Sequence, residues 1–295
     1  MKTVMNPSTD QWSELTTRPM SSSKDVMPVV DEVFGAIQLQ GDQAIQAYSE
    51  KFDGYRPKRI EVDLDDLKTA QNELSADLRD AIDKAYDNIY AFHKAQLTER
   101  IQLDVQDGVS CWQEKRPIEK VGLYIPGGTA PLFSSILMLA IPATIAGCRE
   151  IVLCTPPNQS GQLAPAIRYA ANKCGVTRLF QVGGIQAIGG MTFGTETIPQ
   201  VYKILGPGNQ YVTAAKQKAT QYGVSIDMPA GPSELLVVAD ETAVPSYVAA
   251  DLLSQAEHGT DSQVVLVSTS QHTIDKVKDE VQKQLEALPR KEIAV

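Results

Sequence analysis

A chain of 295 residues with 43% apolar residues and a formal net charge of −9 is long enough for two compact domains with sizeable cores. The acidic balance, without any cluster of Lys and Arg, excludes nucleic acid as an expected partner and argues against an anionic membrane surface. The cysteines Cys111, Cys148, Cys154 and Cys174 lack CxxC spacing and read as reduced thiols; no leader is evident, and the apolar run Ile136 to Ala146 is too short to span a bilayer, so a soluble cytoplasmic protein is expected.

In chain order, residues 1–20 read as a loosely ordered arm available to a partner chain. Two helices follow between Val26 and Gly54, broken near Gly41-Asp42, and Ser75 is placed to cap a long helix running to about Gln96. His93 on that helix reads as a structural histidine beside the apolar stripe. After Gly108 the pattern changes: Val109 to Trp112 and Val121 to Ile125 read as strands, and strands then alternate with helices to the carboxyl end. The turn Pro126-Gly127-Gly128-Thr129, the turn Gly183-Gly184 and the turn Gly206-Pro207-Gly208-Asn209 each follow a strand. Such alternation implies parallel sheets with helices on both faces and ligands outside the carboxyl ends of the strands. The expected organisation is an α/β chain with two incomplete Rossmann-like domains and a helical amino-terminal region. Residues 1–20 form the arm, 21–123 with 235–295 a first domain, and 124–234 a second.

Several patterns carry candidate chemistry. Gly206-Pro207-Gly208 sits between a strand and a helix, with Asp227 about twenty residues on, as a dinucleotide fingerprint asks. Tyr211 stands where the third glycine belongs, so a tight turn with Asn209 as helix cap competes with the dinucleotide reading. On the helix entered through Pro245, Asp251, Gln255 and His258 share one face, while Val248, Leu252 and Ala256, with Ala249 and Leu253 beside them, face the other way. Gln255 and His258 could point two donors at one cation, but a histidine at a helix end is also favoured by the dipole alone, and spacing by itself prefers that explanation. Cys148 and Cys154, with no nearby histidine to activate them, read as buried structural thiols rather than nucleophiles.

The stretches VGLYIPGGTAPLFSS, LGPGNQYVTAAK, IDMPAGPSE and DLLSQAEHGTDSQ together resemble the histidinol dehydrogenases, over a span from about Val26 to the carboxyl end. The resemblance implies a zinc-dependent, NAD-linked oxidation of L-histidinol to L-histidine through the aldehyde, in a cytoplasmic homodimer with one zinc ion per subunit. It makes Gln255 and His258 zinc ligands, against the reading from spacing, and places both on the substrate. It puts Ser233 on the substrate, and Tyr124, Gln186 and Asn209 on the cofactor; Asp227 receives no cofactor contact. The family's two further zinc ligands and its catalytic glutamate–histidine pair have no counterpart in these residues, whose histidines are His93, His258 and His272. The resemblance puts that pair beyond Val295, so no catalytic residue is expected within the chain. The chain therefore reads as a truncated form, expected to be inactive alone. The alternatives are a non-catalytic ligand- or subunit-binding chain of the same fold, and a cysteine-dependent aldehyde dehydrogenase.

Overall fold

The structure, a computed structural model, describes residues 1–17, 26–127, 131–158, 160–229, 234–258, 262–289 and 291–294. The chain divides into two compact units, residues 23–229 and residues 1–22 with 230–295. This division differs from the expected one, because the helical region before Gly108 packs on the sheet that follows it in sequence.

In the unit of residues 23–229, a five-stranded parallel sheet is built from β3 (Lys120–Tyr124), β4 (Glu150–Cys154), β5 (Arg178–Phe180), β6 (Lys203–Leu205) and β7 (Ser225–Ile226); β1 (Ile101–Gln106) and β2 (Val109–Gln113) form a separate antiparallel hairpin. The strand order is β5-β4-β3-β6-β7. Numbered within the sheet this is 3-2-1-4-5, the mononucleotide-binding order of the Rossmann fold without its sixth strand. From β3 the chain first winds outward through β4 and β5, then returns to the other side of β3 for β6. The chain therefore leaves β3 and β6 in opposite directions along the sheet, the switch point outside whose carboxyl ends open parallel sheets bind ligands.

Both sheet faces are apolar, as buried parallel strands require. Val121, Leu123, Ile151, Leu153 and Leu179 belong to one core, and Tyr124, Val152, Cys154 and Phe180 to the other, following the two-residue alternation of side chains. The helices α6 (Phe133–Ala146) and α7 (Pro165–Lys173) cover the first face; α8 (Gly184–Phe193) and α9 (Gln210–Thr220) cover the second. α6 runs through Pro142 without ending, and no described helix is long and apolar enough to cross a membrane.

Neither α6 nor α8 has a polar outer stripe, so each needs a second cover. α8 buries Ile185 through Thr192 without a break. The amino-terminal helices supply that cover: α2 (Met27–Gln40) and α3 (Asp42–Asp53) pack on α8, while α4 (Leu64–Thr69) packs on α7 and α5 (Ala76–Lys94) on α6. α5 begins where Ser75 accepts from the Leu78 N–H at 3.3 Å, at the cap expected from sequence. His93 is half-buried, with Nδ1 3.3 Å from Gln96 Oε1, and serves structure as expected. The open edge of β5 is also occupied: Gln181 N–H donates to Ile60 O at 2.9 Å, Val62 N–H to Leu179 O at 2.8 Å, and Arg178 clasps Glu61 with two bonds of 2.8 Å each. A segment laid on an edge in this way removes a site of unwanted pairing.

In the other unit, β8 (Glu234–Ala239) pairs in parallel with β9 (Gln263–Ser268), and α10 (Pro245–Ala256) and α11 (Gln271–Ala287) pack on the pair, with the short α12 (Lys291–Ala294) beside them. The amino-terminal arm contains a helix, α1 (Thr9–Thr16), entered through Ser8, whose N–H and hydroxyl donate to Gln11 Oε1 at 3.0 and 3.1 Å. None of its residues is buried.

Ile82, fully buried on α5, ties the outer helical layer to α6. Ile82→Ala is expected to cost about 2–5 kcal/mol in denaturant unfolding, and a loss below about 0.5 kcal/mol would show that the outer layer is not part of the cooperative unit.

Candidate functional site

The crevice between β3 and β6 is shaped by Gly206, the first residue after β6. Its φ is 131°, and a Cβ there would collide with the carbonyl oxygen of Tyr124 at the end of β3. Only glycine allows the two loops to approach so closely. Two polar contacts hold it: Asp227 Oδ2 accepts from the Gly206 N–H at 2.8 Å and Lys216 Nζ donates to the Gly206 carbonyl at 2.7 Å; Lys216 and Asp227 also form an ion pair. Lys216 is 5% exposed, and Asp227 supplies its counter-charge. The acidic residue that mimics a dinucleotide fingerprint is thus engaged within the chain, in line with its exclusion from cofactor contact.

Asn209, three residues on, caps α9, with Oδ1 accepting from the Tyr211 and Val212 N–H groups at 3.1 Å each. Tyr124 points from the end of β3 to the start of α8, where its hydroxyl accepts from the Gly184 N–H at 3.2 Å. Burial pushes its pKa up to about 12. Gln186, near the start of α8, has no exposed surface; its Nε2 donates to Asp53 Oδ2 at 2.9 Å, and its Oε1 is buried without a hydrogen-bond partner. Tyr124 and Gln186 thus meet at the amino end of α8, while Asn209 stands at the amino end of α9 on the β6 side of the crevice. A buried acceptor left open is costly in a folded chain, and it suits a ligand that carries a donor. The switch point and its glycine approach fit a dinucleotide.

Asp53, the last residue of α3, is a member of this group that the sequence did not disclose. Burial raises its carboxyl pKa above the ordinary value of 3.8, partly offset by the Gln186 amide. A separate cleft of about 680 Å³, lined in part by Leu39, Gly41, Phe193 and Glu196, contains none of the expected site residues.

In the other unit α10 places Val248, Ala249, Leu252 and Leu253 in the core, as the spacing predicts. Gln255 is half-buried with its Nε2 unpartnered, and His258 is exposed just beyond the helix end. Turning the Gln255 amide over would offer its carbonyl oxygen as a donor to a cation on the same turn as His258. Among the described residues no three His, Cys, Asp or Glu side chains gather around a common point. The two donors fit part of a zinc shell and do not complete one, because zinc ordinarily takes four. Ser233 lies outside the described residues, as do Gly128 and Thr129 of the first glycine turn. Val295, the point beyond which the catalytic glutamate–histidine pair is expected, also lies outside them, so the structure places no member of that pair. Cys154 is fully buried and burial drives its pKa far up; Cys148 is shifted the same way, and Cys174 to about 12. Burial holds each of these three in the thiol form, which argues against them as nucleophiles.

Comparison with known proteins gives one consistent result. A family model described as histidinol dehydrogenase matches residues 16–295. Histidinol dehydrogenase of Bacteroides thetaiotaomicron is 51% identical over 294 residues, covering 100% of this chain and 69% of that protein. The Vibrio parahaemolyticus histidinol dehydrogenase is 49% identical, covering 100% and 68%. The crystal structure of histidinol dehydrogenase from Elizabethkingia anophelis superposes with a TM-score of 0.94 at 52% identity, covering 100% of this chain and 68% of that one. An NAD-dependent aldehyde dehydrogenase from Sinorhizobium meliloti, at 16% identity and a TM-score of 0.50, shares the fold alone.

Lys216→Met leaves the half-buried Asp227 without its counter-charge and the Gly206 carbonyl without its donor, and is expected to lower unfolding free energy by about 1–3 kcal/mol; a neutral result would show the clasp to be dispensable. For Asp53, a folded pKa above the unfolded one means that the native state binds the proton more tightly. Its contribution to stability is full below the unfolded value and is lost as pH climbs through the raised folded value. Asp53→Asn is therefore expected to raise the melting temperature at neutral pH and to flatten its dependence on pH across the acid range; a lower melting temperature would contradict this.

Proposed function

The chain belongs to the histidinol dehydrogenase family, and from that premise we propose that it serves the NAD-linked oxidation of L-histidinol to L-histidine in histidine biosynthesis. The reaction is a four-electron oxidation in two steps: the alcohol loses a hydride and a proton to give the aldehyde, and the aldehyde takes up water and loses a second hydride and two protons to give the carboxylate. Each hydride reduces one NAD. The observation that supports the cofactor part is the close approach of Gly206 to the end of β3, at the switch point of a Rossmann-ordered sheet.

In this reading Tyr124, Gln186 and Asn209 hold the dinucleotide over the crevice, with the loop geometry fixed by Gly206. Gln255 and His258 supply two neutral donors from the end of α10, and Ser233 contacts the substrate. Zinc, when bound, supplies a Lewis-acidic anchor for the amino and imidazole nitrogens of histidinol. Two neutral donors leave most of its charge uncompensated, so tight binding by these residues alone is not expected. The glutamate expected as general base for the second step has no counterpart among the described residues. The same reading makes the protein a cytoplasmic homodimer that uses a small-molecule substrate and engages neither nucleic acid nor membrane.

Calorimetric titration of the 295-residue polypeptide with NAD, a zinc assay and a histidinol turnover assay test these statements together. The expected outcome is saturable NAD binding, little retained zinc and no NADH formation. Turnover in proportion to protein would contradict the predicted inactivity, and absence of NAD binding would favour a non-catalytic chain of the same fold.

A further inference from the structure

The loops that leave β3, β4 and β5 are stacked on one proline. Backbone pairing continues past the ends of these strands: Ile125 N–H donates to Cys154 O at 3.0 Å, and Thr155 N–H donates to Phe180 O at 3.0 Å. Pro156 is the next residue of the middle loop, so its height above the sheet is set by bonds on both sides. Its ring lies between Gly127, in the loop after β3, and Gly183, the N-cap of α8. A Cβ at Gly127 would overlap Pro156 Cγ, and a Cβ at Gly183 would stand 2.7 Å from Pro156 Cβ and 2.9 Å from Pro156 Cγ.

Neither glycine is called for by its backbone. Gly183 is extended, with φ −110° and ψ −173°, and the φ of Gly127 is not positive. What each lacks is room for a side chain, and the obstacle is the same ring. A proline ring cannot swing aside as a long side chain does, because it is closed onto its own backbone. Two glycines in separate turns thus rest on one rigid body, and close packing transmits its width to both loops.

We propose that Pro156 is a positioning residue, the spacer that sets the distance between the loop after β3 and the start of α8. It does on the β4 side of β3 what Gly206 does on the β6 side. The proposal rests on the reading of this switch point as an NAD site, and Pro156 acts there through the two loops. A merely structural contact would shift the melting temperature and leave the affinity of the folded chain as it is.

Titration of the 295-residue chain with NADH, followed by its fluorescence, tests this through paired substitutions. Gly127→Ala and Gly183→Ala are each expected to weaken NADH binding about tenfold, by pushing ring and loop apart. Pro156→Ala removes Cγ and Cδ but keeps Cβ, which lies 3.4 Å from a Cβ at Gly127 and 2.7 Å from one at Gly183. In a Pro156→Ala background Gly127→Ala is therefore expected to cost nothing further, whereas Gly183→Ala keeps its full cost. Melting curves recorded alongside confirm that each variant is folded. Unchanged affinity of the folded Gly127→Ala chain, or an equal loss with and without the ring, would overturn the spacer role while leaving the cofactor site standing. A parent chain that binds no NADH would overturn both.

Discussion

The backbone of one glycine, held by a buried lysine and an aspartate, shapes the crevice. Gly206 can approach the end of β3 only because it has no side chain, and it keeps that position because Lys216 and Asp227 bind its carbonyl and its N–H. An interior ion pair is weak evidence for net stability but strong evidence for a fixed geometry once one partner is in place. Here the fixed geometry is a gap between two loops at the point where strand order reverses. The residues around that gap become comprehensible as a ligand surface only after the gap itself is accounted for.

The second constraint is the apolar character of α6 and α8. A helix without a polar face needs cover beyond the one sheet it packs on. The amino-terminal helices provide the cover, and in doing so they bring Asp53 against Gln186, residues 133 positions apart. Packing demand in the scaffold thereby delivers a carboxylate to the candidate site. The raised pKa of Asp53 is a mark of that tension: the residue sits where burial disfavours its charge. Groups held in such surroundings are frequent at functional sites, where stability yields to geometry.

Much of the scaffold was legible in sequence because its signals are local. The alternation of strands and helices after Gly108, the Ser75 cap and the buried stripe of α10 all follow from spacing and turn residues within a few positions of each other. The competing role of Asn209 as a helix cap was legible for the same reason. β1 was overlooked although Ile101, Leu103 and Val105 alternate, and β7 has only two residues, too few to carry a pattern. The helix α1 was missed because its apolar residues are too sparse to mark a buried face. Long-range pairings left no local trace: nothing near Asp53 announces Gln186, nothing near Lys216 announces the Gly206 carbonyl, and nothing around residues 60–62 announces the edge of β5. The zinc reading of Gln255 and His258 came from family likeness, and spacing alone had favoured packing. The structure leaves Gln255 Nε2 without a hydrogen-bond partner among the described residues and His258 exposed.

Hydrogen–deuterium exchange of the 295-residue chain, with and without saturating NADH, addresses the crevice itself. If the dinucleotide lies where the central strands part, protection appears together at Tyr124–Gly127, Gly183–Gln186 and Gly206–Asn209, three segments that meet only in the folded sheet. Protection confined to other surfaces, with these three unchanged, would contradict the account.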